Sequence, residues 1–255
     1  PGDKKHNIKN VKKVLAIPTN NRKIKNTITK VYYKVTQNLI FTNSIENAET
    51  AKVIENIQRD LNIAFMNDVF IFSNKMNLDY KKILYLASTK WNFLKFNPGL
   101  VGGHCLPVDP YYLSYIAKKN RINLRTVLAG RSVNNYMQNY IKSKIEKKIN
   151  KNYIKDKYIV ISGITYKKDV PDIRNSIPLK IYIELRKKYK SLVAYDYVCG
   201  SSARKKYKIL STFKSLKDKI GLVIFLVNHK KNYELFKHRL KNNIKVFDPF
   251  KLYLN

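Results

Sequence analysis

Residues 157–197 read KYIVISGITYKKDVPDIRNSIPLKIYIELRKKYKSLVAYDY, and this stretch decides the fold class. Tyr158 to Ile164 is a short apolar run carrying Gly163 near its end. Runs of this length, rich in β-branched residues and bounded by a turn signal, read as buried strands. Ser176 is placed to cap a helix whose first turn holds Pro178, and the amphipathic pattern then runs to Lys190. A second apolar run follows at Leu192 to Tyr197. Downstream, Leu222 to Asn228 and Ile244 to Phe247 read as further strands, with a helix at Tyr233 to Lys241 between them. Strands alternating with helices predict a parallel sheet covered on both faces. Ligands of such sheets bind at the carboxyl ends of the strands, which points to Thr165–Arg174 and to the region of Asp196.

Upstream the period changes. Ile45 to Asn74 predicts one long helix, with apolar residues at Ile54, Ile57, Leu61, Ala64, Phe65, Val69 and Phe72. Asn43 or Ser44 is its N-cap. Lys52 and Asn56 lie four apart and so share a face. Further helices are expected at Leu78–Ala87, Tyr111–Lys119 and Arg125–Ile149, the last entering a Lys/Asn-rich link over 150–156. The start of the chain reads strand (Val11–Ile17), helix (Ile24–Val35), strand (Leu39–Thr42).

The chain has 255 residues and a formal net charge of +34. Such a charge can mark nucleic-acid or anionic-membrane binding. Here the lysines are spread along the whole chain, arginine is scarce beside lysine, and Asn, Ile and Tyr are also abundant. Compositional drift therefore accounts for the charge better, and no nucleic-acid partner is expected. No apolar run is long enough to span a membrane, and no secretory leader is visible. Two distant cysteines, Cys105 and Cys199, make no disulfide framework, so a reducing cytoplasm is expected. No set of metal ligands can be assembled.

The chemistry concentrates at residues 98–113, PGLVGGHCLPVDPYYL. Glycines let a backbone turn sharply and approach a ligand closely. A cysteine in such a loop is either an attacking thiolate or a small packed side chain, and spacing alone leaves both readings open. Asp109, four residues on, is placed to orient a partner or handle a proton. His104 is expected to shape the loop rather than to deprotonate Cys105, because neighbours in an extended loop point apart. Cys199, after a strand, is expected to be packing.

Three blocks carry a resemblance. Lys90–Leu94 followed by Pro98–Leu113, the helix Asn47–Ala64, and Ser162–Ser176 are together similar to the UDP-glucose/GDP-mannose dehydrogenase family, nearest its UDP-N-acetylhexosamine 6-dehydrogenases. The resemblance implies residues 1–43 as the tail of a Rossmann NAD-binding domain, 44–150 as a central all-helical dimerisation domain, and 151–255 as a Rossmann-like UDP-sugar-binding domain. It implies a cytoplasmic homodimer acting in surface-polysaccharide synthesis. It also implies oxidation of a primary alcohol to a carboxylate, in two hydride transfers to NAD, through a cysteine-bound thiohemiacetal and thioester.

Carried over residue by residue, the resemblance makes Cys105 the nucleophile, Lys52 the oxyanion stabiliser, Asn56 a holder of oxyanion or water, and Asp109 the activator of water or orienter of the lysine. Gly99, Gly102, Gly103, Lys95, Tyr166 and Lys167 fall to the nucleotide sugar. Lys90 is implied as a basic substrate contact lent to the neighbouring subunit's site, Arg131 and Asn134 are placed on the substrate side, and Arg174 reaches NAD. Two positions depart from the family pattern. Asp248 is followed by Pro249 and Phe250 before Lys251, which puts the usual basic contact in doubt, and Val108 precedes Asp109 where some members have lysine. No GxGxxG follows a strand, so the main NAD site is expected in an N-terminal domain, encoded in the same gene or separately. The competing readings are a non-catalytic UDP-sugar-binding remnant and a basic nucleic-acid-binding protein.

Overall fold

The structure is a computed structural model and describes residues 8–151, 157–212, 216, 219–232 and 244–251. The helix expected at Tyr233–Lys241 and most of the 150–156 link lie outside the described residues. Packing divides the chain into two units, residues 1–58 and 59–255.

In the first unit, strand β1 (Lys13–Ala16) pairs in parallel with β2 (Leu39–Thr42), and helix α1 (Arg22–Tyr33) connects them. Asn21 caps α1, its side-chain oxygen accepting from the Lys23 and Ile24 amides. Leu15, Ile17 and Thr36 are buried, whereas Val14, Ile24, Val31, Ile40 and Phe41 are exposed. Helix α2 (Ile45–Lys75) begins here and runs on into the second unit. Of the two expected caps, Ser44 serves: its hydroxyl accepts from the Asn47 amide at 3.0 Å.

The second unit holds the rest of α2, then α3 (Tyr80–Ala87), α4 (Asp109–Lys119) and α5 (Arg125–Lys151). A sheet follows, made of β3 (Tyr158–Ser162), β4 (Leu192–Tyr195), β5 (Ile209–Leu210), β6 (Ile220–Phe225) and β7 (Lys245–Phe247), with α6 (Ile177–Lys188) and α7 (Ser201–Tyr207). The order is β5-β4-β3-β6-β7 and every pairing is parallel. The chain's direction of travel across the sheet reverses between β3 and β6. That is the crevice where ligands of such sheets bind.

Ser176 caps α6, accepting from the Leu179 amide at 3.3 Å, as expected. The α7–β5 pair was not anticipated, because SSARKKYKIL offers a helix only seven residues long and a strand of two.

The helical region and the sheet share one core. Met137, Ile141 and Ile145 on α5 are fully buried together with Ile161, Ile181 and Leu222 of the α/β part and Phe70 of α2. The spacing 137, 141, 145, 149 keeps one apolar stripe of α5 on that core. Burying each such side chain stabilises the fold by about 1.5–3 kcal/mol.

Candidate active site

The site is built around residues 98–109 of the second unit. Asn67, on α2 and fully buried, grips Gly99 from both sides: it accepts from the Gly99 amide at 2.9 Å and donates to the Gly99 carbonyl at 3.1 Å. The same amide donates to Asn134 Oδ1 at 2.8 Å. Asn134 in turn donates to Asp60 Oδ1 at 2.8 Å, and Arg131 Nη1 donates to that oxygen at 2.7 Å. Burial pushes the Asp60 carboxyl up, against the pull of Arg131 and Asn134. Gly130, beside Arg131, lets α5 approach α2, since a Cβ there would meet Leu61 Cδ2 at 2.4 Å.

The other side of the loop meets the α/β part. A Cβ at Gly102 would lie 2.7 Å from the Asn175 carbonyl oxygen. Gly103 has φ +92°, and a Cβ there would lie 3.0 Å from the Tyr166 ring. Only glycine combines that backbone with that proximity. Asn175 donates to the Gly103 carbonyl at 3.2 Å.

Cys105 is exposed and free. Its carbonyl accepts from the Val108 and Asp109 amides, both at 2.9 Å, so the chain turns directly into α4, with Asp109 in the first turn. The loop is therefore not extended, and the expectation that His104 and Cys105 point apart is corrected: His104 Nδ1 lies 3.2 Å from Cys105 Sγ.

Tyr166, Asp172 and Arg174 stand close enough for their charges to couple with this pair. Arg174 forks onto Asp172, with Nε 3.1 Å and Nη2 2.6 Å from the carboxylate. That bond holds the Asp172 carboxyl below its usual range, with the nearby His104 adding to the effect. Burial, then the charges of Asp172 and Cys105, push the Tyr166 hydroxyl up.

A cavity of about 950 Å³ adjoins the loop. Lysines 81, 95, 167 and 251 line it with aromatic rings that include Phe96 and Phe250. A smaller hollow, bordered by Gly99, Tyr166 and Lys167, shares Pro98, Lys167, Asn228 and Phe250 with it. Lys251, which the sequence left in doubt, is thus in the wall after all, with φ +52°.

The loop 164–169 that carries Tyr166 and Lys167 is pinned from below by Asp196 and His229, both fully buried. Asp196 accepts from the Ile164 amide at 2.8 Å, and His229 Nε2 lies 3.2 Å away. His229 Nδ1 accepts from the Asp169 amide at 2.8 Å, which assigns the ring proton to Nε2. Burial opposes the Asp196 carboxylate, yet the His229 bond and charge and the Ile164 and Val198 amides outweigh it and hold its pKa down.

The structure brings Cys105, Asp109, Gly99, Gly102, Gly103, Lys95, Tyr166, Lys167 and Arg174 into one region of the second unit. Lys52 and Asn56 belong to the first unit. There Lys52 is exposed and ion-paired with Glu55, and Asn56 is buried. Lys90, expected at a neighbouring subunit's site, is exposed in the turn after α3 and lines neither cavity of its own chain. Two expected substrate contacts stand elsewhere. Arg131 and Asn134 are 3% and 5% exposed, and their polar ends are occupied by Asp60, Asn67 and Asn135, so they brace the helices under the loop. Cys199 is buried, as expected, its thiol pushed up to about 11. Among the described residues no group of three or more His, Cys, Asp or Glu could hold a metal, and no helix is long and apolar enough to cross a membrane.

The profile of the UDP-glucose/GDP-mannose dehydrogenase family, central domain, matches residues 46–136, and that of the family's UDP binding domain matches 160–253. The chain is 38% identical over 234 residues to the UDP-N-acetyl-D-glucosamine 6-dehydrogenase of Salmonella typhi, covering 90% of this chain and 55% of that protein. It is 37% identical to Protein CapL of Staphylococcus aureus, with the same coverage. The chain thus spans about half the length of the curated relatives it matches. Among solved structures, the native structure of the UDP-N-acetyl-mannosamine dehydrogenase Cap5O from Staphylococcus aureus superposes with a TM-score of 0.72 at 25% identity, over 96% of this chain and 60% of that one. Two family profiles in the right order, on a helical region that carries the cysteine loop and a parallel sheet that carries the lysine-lined cavity, show that this chain belongs to the UDP-glucose/GDP-mannose dehydrogenase family.

Proposed function

We propose that the chain is the central and UDP-binding part of an NAD-dependent UDP-N-acetylhexosamine 6-dehydrogenase of surface-polysaccharide synthesis, working in the cytoplasm. The observation that carries this reading is the meeting of two features at Gly99 and Tyr166: an exposed cysteine on a loop held from both sides, and a cavity walled by lysines and aromatic rings. The cavity has the chemistry of a nucleoside diphosphate site. Lys95, Lys167 and Lys251 offer charge to the diphosphate, and the rings offer faces to the base.

Cys105 attacks the aldehyde-level intermediate to give a thiohemiacetal; loss of a second hydride, to the acceptor that NAD would supply, would give a thioester, which water activated by Asp109 releases. Lys52 and Asn56 supply the oxyanion contacts by resemblance. NAD, when bound, supplies the hydride acceptor. Arg174 is the residue of this chain that fits it: its guanidinium is 65% exposed and couples electrostatically with Cys105, so it can face a phosphate. The open apolar faces of the first unit (Val14, Ile40, Phe41) support packing against the rest of an NAD-binding domain. A groove of about 590 Å³ between α4 and α5, lined by Tyr111, Tyr115, Ile122 and Leu128, supports a homodimer through the helical region. Two free cysteines suit a reducing cytoplasm.

The test is alkylation of Cys105 by iodoacetamide, followed by mass spectrometry, with and without UDP-N-acetylglucosamine. Protection at saturating ligand is expected. Alkylation of Cys105 at an unchanged rate would overturn the reading. Binding displaced by DNA, with a steep salt dependence, would favour a nucleic-acid role instead.

A further inference from the structure

The turn after Cys105 has a chemical consequence. Because the backbone bends there, two neighbouring side chains converge, and His104 Nδ1 comes within 3.2 Å of Cys105 Sγ. Nitrogen and sulfur at that separation are within hydrogen-bond reach, and a histidine protonated on Nε2 presents Nδ1 as the acceptor. Tyr166, Asp172 and Arg174 face the pair from the 166–174 loop, and Asp109 stands in the first turn of α4. The Asp172 carboxylate interacts with the charge of His104, so a protonated imidazole has a countercharge.

We propose that His104 is a catalytic residue, the base that takes the Cys105 thiol proton as the sulfur attacks an aldehyde carbon. This rests on the reading of Cys105 as the nucleophile. The S–H bond breaks and an Nδ1–H bond forms. Sγ gives its electron pair to the carbonyl carbon, and the C=O π pair moves onto oxygen. The proton on Nδ1 then passes to that oxygen. Thiol plus aldehyde become a thiohemiacetal with no net change of charge, and no oxidant enters the step. Asp172 is a positioning residue that steadies the imidazolium between the two transfers.

The experiment uses the chain as it stands. Rates of Cys105 alkylation by iodoacetamide are measured from pH 5.5 to 9.5 for the wild type, His104→Gln and His104→Asn. Buried Cys199 is the internal control. His104 is exposed, so neither substitution disturbs the core. A base at Nδ1 assists the attack at pH 6.5, where an unassisted thiol is about 1% ionised. Both variants are therefore expected to react several-fold more slowly at pH 6.5, and to merge with the wild type at pH 9.5, where the thiol ionises without help. Superimposable profiles would overturn the proposal. So would a slowing that is the same at every pH, because that reports loop shape rather than a proton. Ligand protection of Cys105 is read separately, so the histidine can fail while the nucleophile stands.

Discussion

Arg131→Met removes the cation from a buried pair and keeps most of its stem. Arg131 is 3% exposed, and its Nη1 lies 2.7 Å from Asp60 Oδ1. Asp60 is 1% exposed. Leaving such a carboxylate without its partner costs about 3–5 kcal/mol. The sign of the pH dependence follows from Asp60. Burial already raises its folded pKa above the unfolded value. A carboxyl raised in this way favours the folded state below its unfolded pKa of about 3.9, and loses that contribution as pH rises through the folded value. Without Arg131 the folded value rises further, so the window extends toward neutrality. The variant's deficit is expected to be largest at pH 8 and to shrink toward pH 5, at no more than about 1.4 kcal/mol per pH unit. Adding Asp60→Asn keeps an acceptor for Asn134 and removes the charge, and should recover at least half of the loss. Urea unfolding followed by far-ultraviolet circular dichroism is the assay, since the single tryptophan, Trp91, is 97% exposed and senses little of the core. A deficit under about 1 kcal/mol, or one equal at pH 5 and pH 8, would refute the reasoning.

Four further outcomes are expected. Asn67→Ala strands both backbone groups of Gly99 and should cost about 2–4 kcal/mol in urea unfolding, while weakening UDP binding by calorimetry. Gly103→Ala forces φ +92° and a contact near 3.0 Å on Tyr166, so it should lose about 1–3 kcal/mol and most ligand protection of Cys105. Lys167→Ala should weaken UDP binding about 10-fold and flatten its salt dependence, while leaving thermal stability near wild type. The depressed Asp196 carboxyl contributes stability above its unfolded pKa and loses it as pH falls through the lower folded value; Asp196→Asn should therefore be destabilised at pH 7 by more than at pH 3 in the same unfolding assay.

The fold was legible where periodicity is strong. Strand β2 falls on the expected residues, and α2, α5 and α6 are displaced by at most two at either end. Ser44 and Ser176 cap where their side chains predict. The elements that escaped are those with little pattern to read, α7 and β5. The grouping of the proposed site was legible where motifs place its residues: Cys105, Asp109, the three glycines, Lys95, Tyr166, Lys167 and Arg174 lie in one region of the second unit. Its supports were not. Asp60 and Asn67 are seven residues apart, two helical turns, inside an apolar stripe. That spacing was the available signal that one face of α2 carries buried polar groups. It also shows why Arg131 and Asn134, read as substrate contacts, are partners of that face instead. His104 was misjudged because the turn after Cys105 depends on backbone bonds to Val108 and Asp109, which no side-chain pattern announces.

The double grip on the glycine loop separates what this scaffold can vary from what it cannot. Asn67 fixes one end and Asn175 with Tyr166 the other, so moving Cys105 means breaking bonds in the helices or the sheet. The cavity's outer wall is different. Lys81, Leu84 and Tyr85 of α3, with Phe93 and residues 95–97, line it, and side chains such as Tyr85 stand largely in solvent. Exchanging them perturbs neither clamp. Redesign of the proposed sugar-nucleotide site should therefore begin with that wall, where the chemistry keeps its place while the shape of the guest changes.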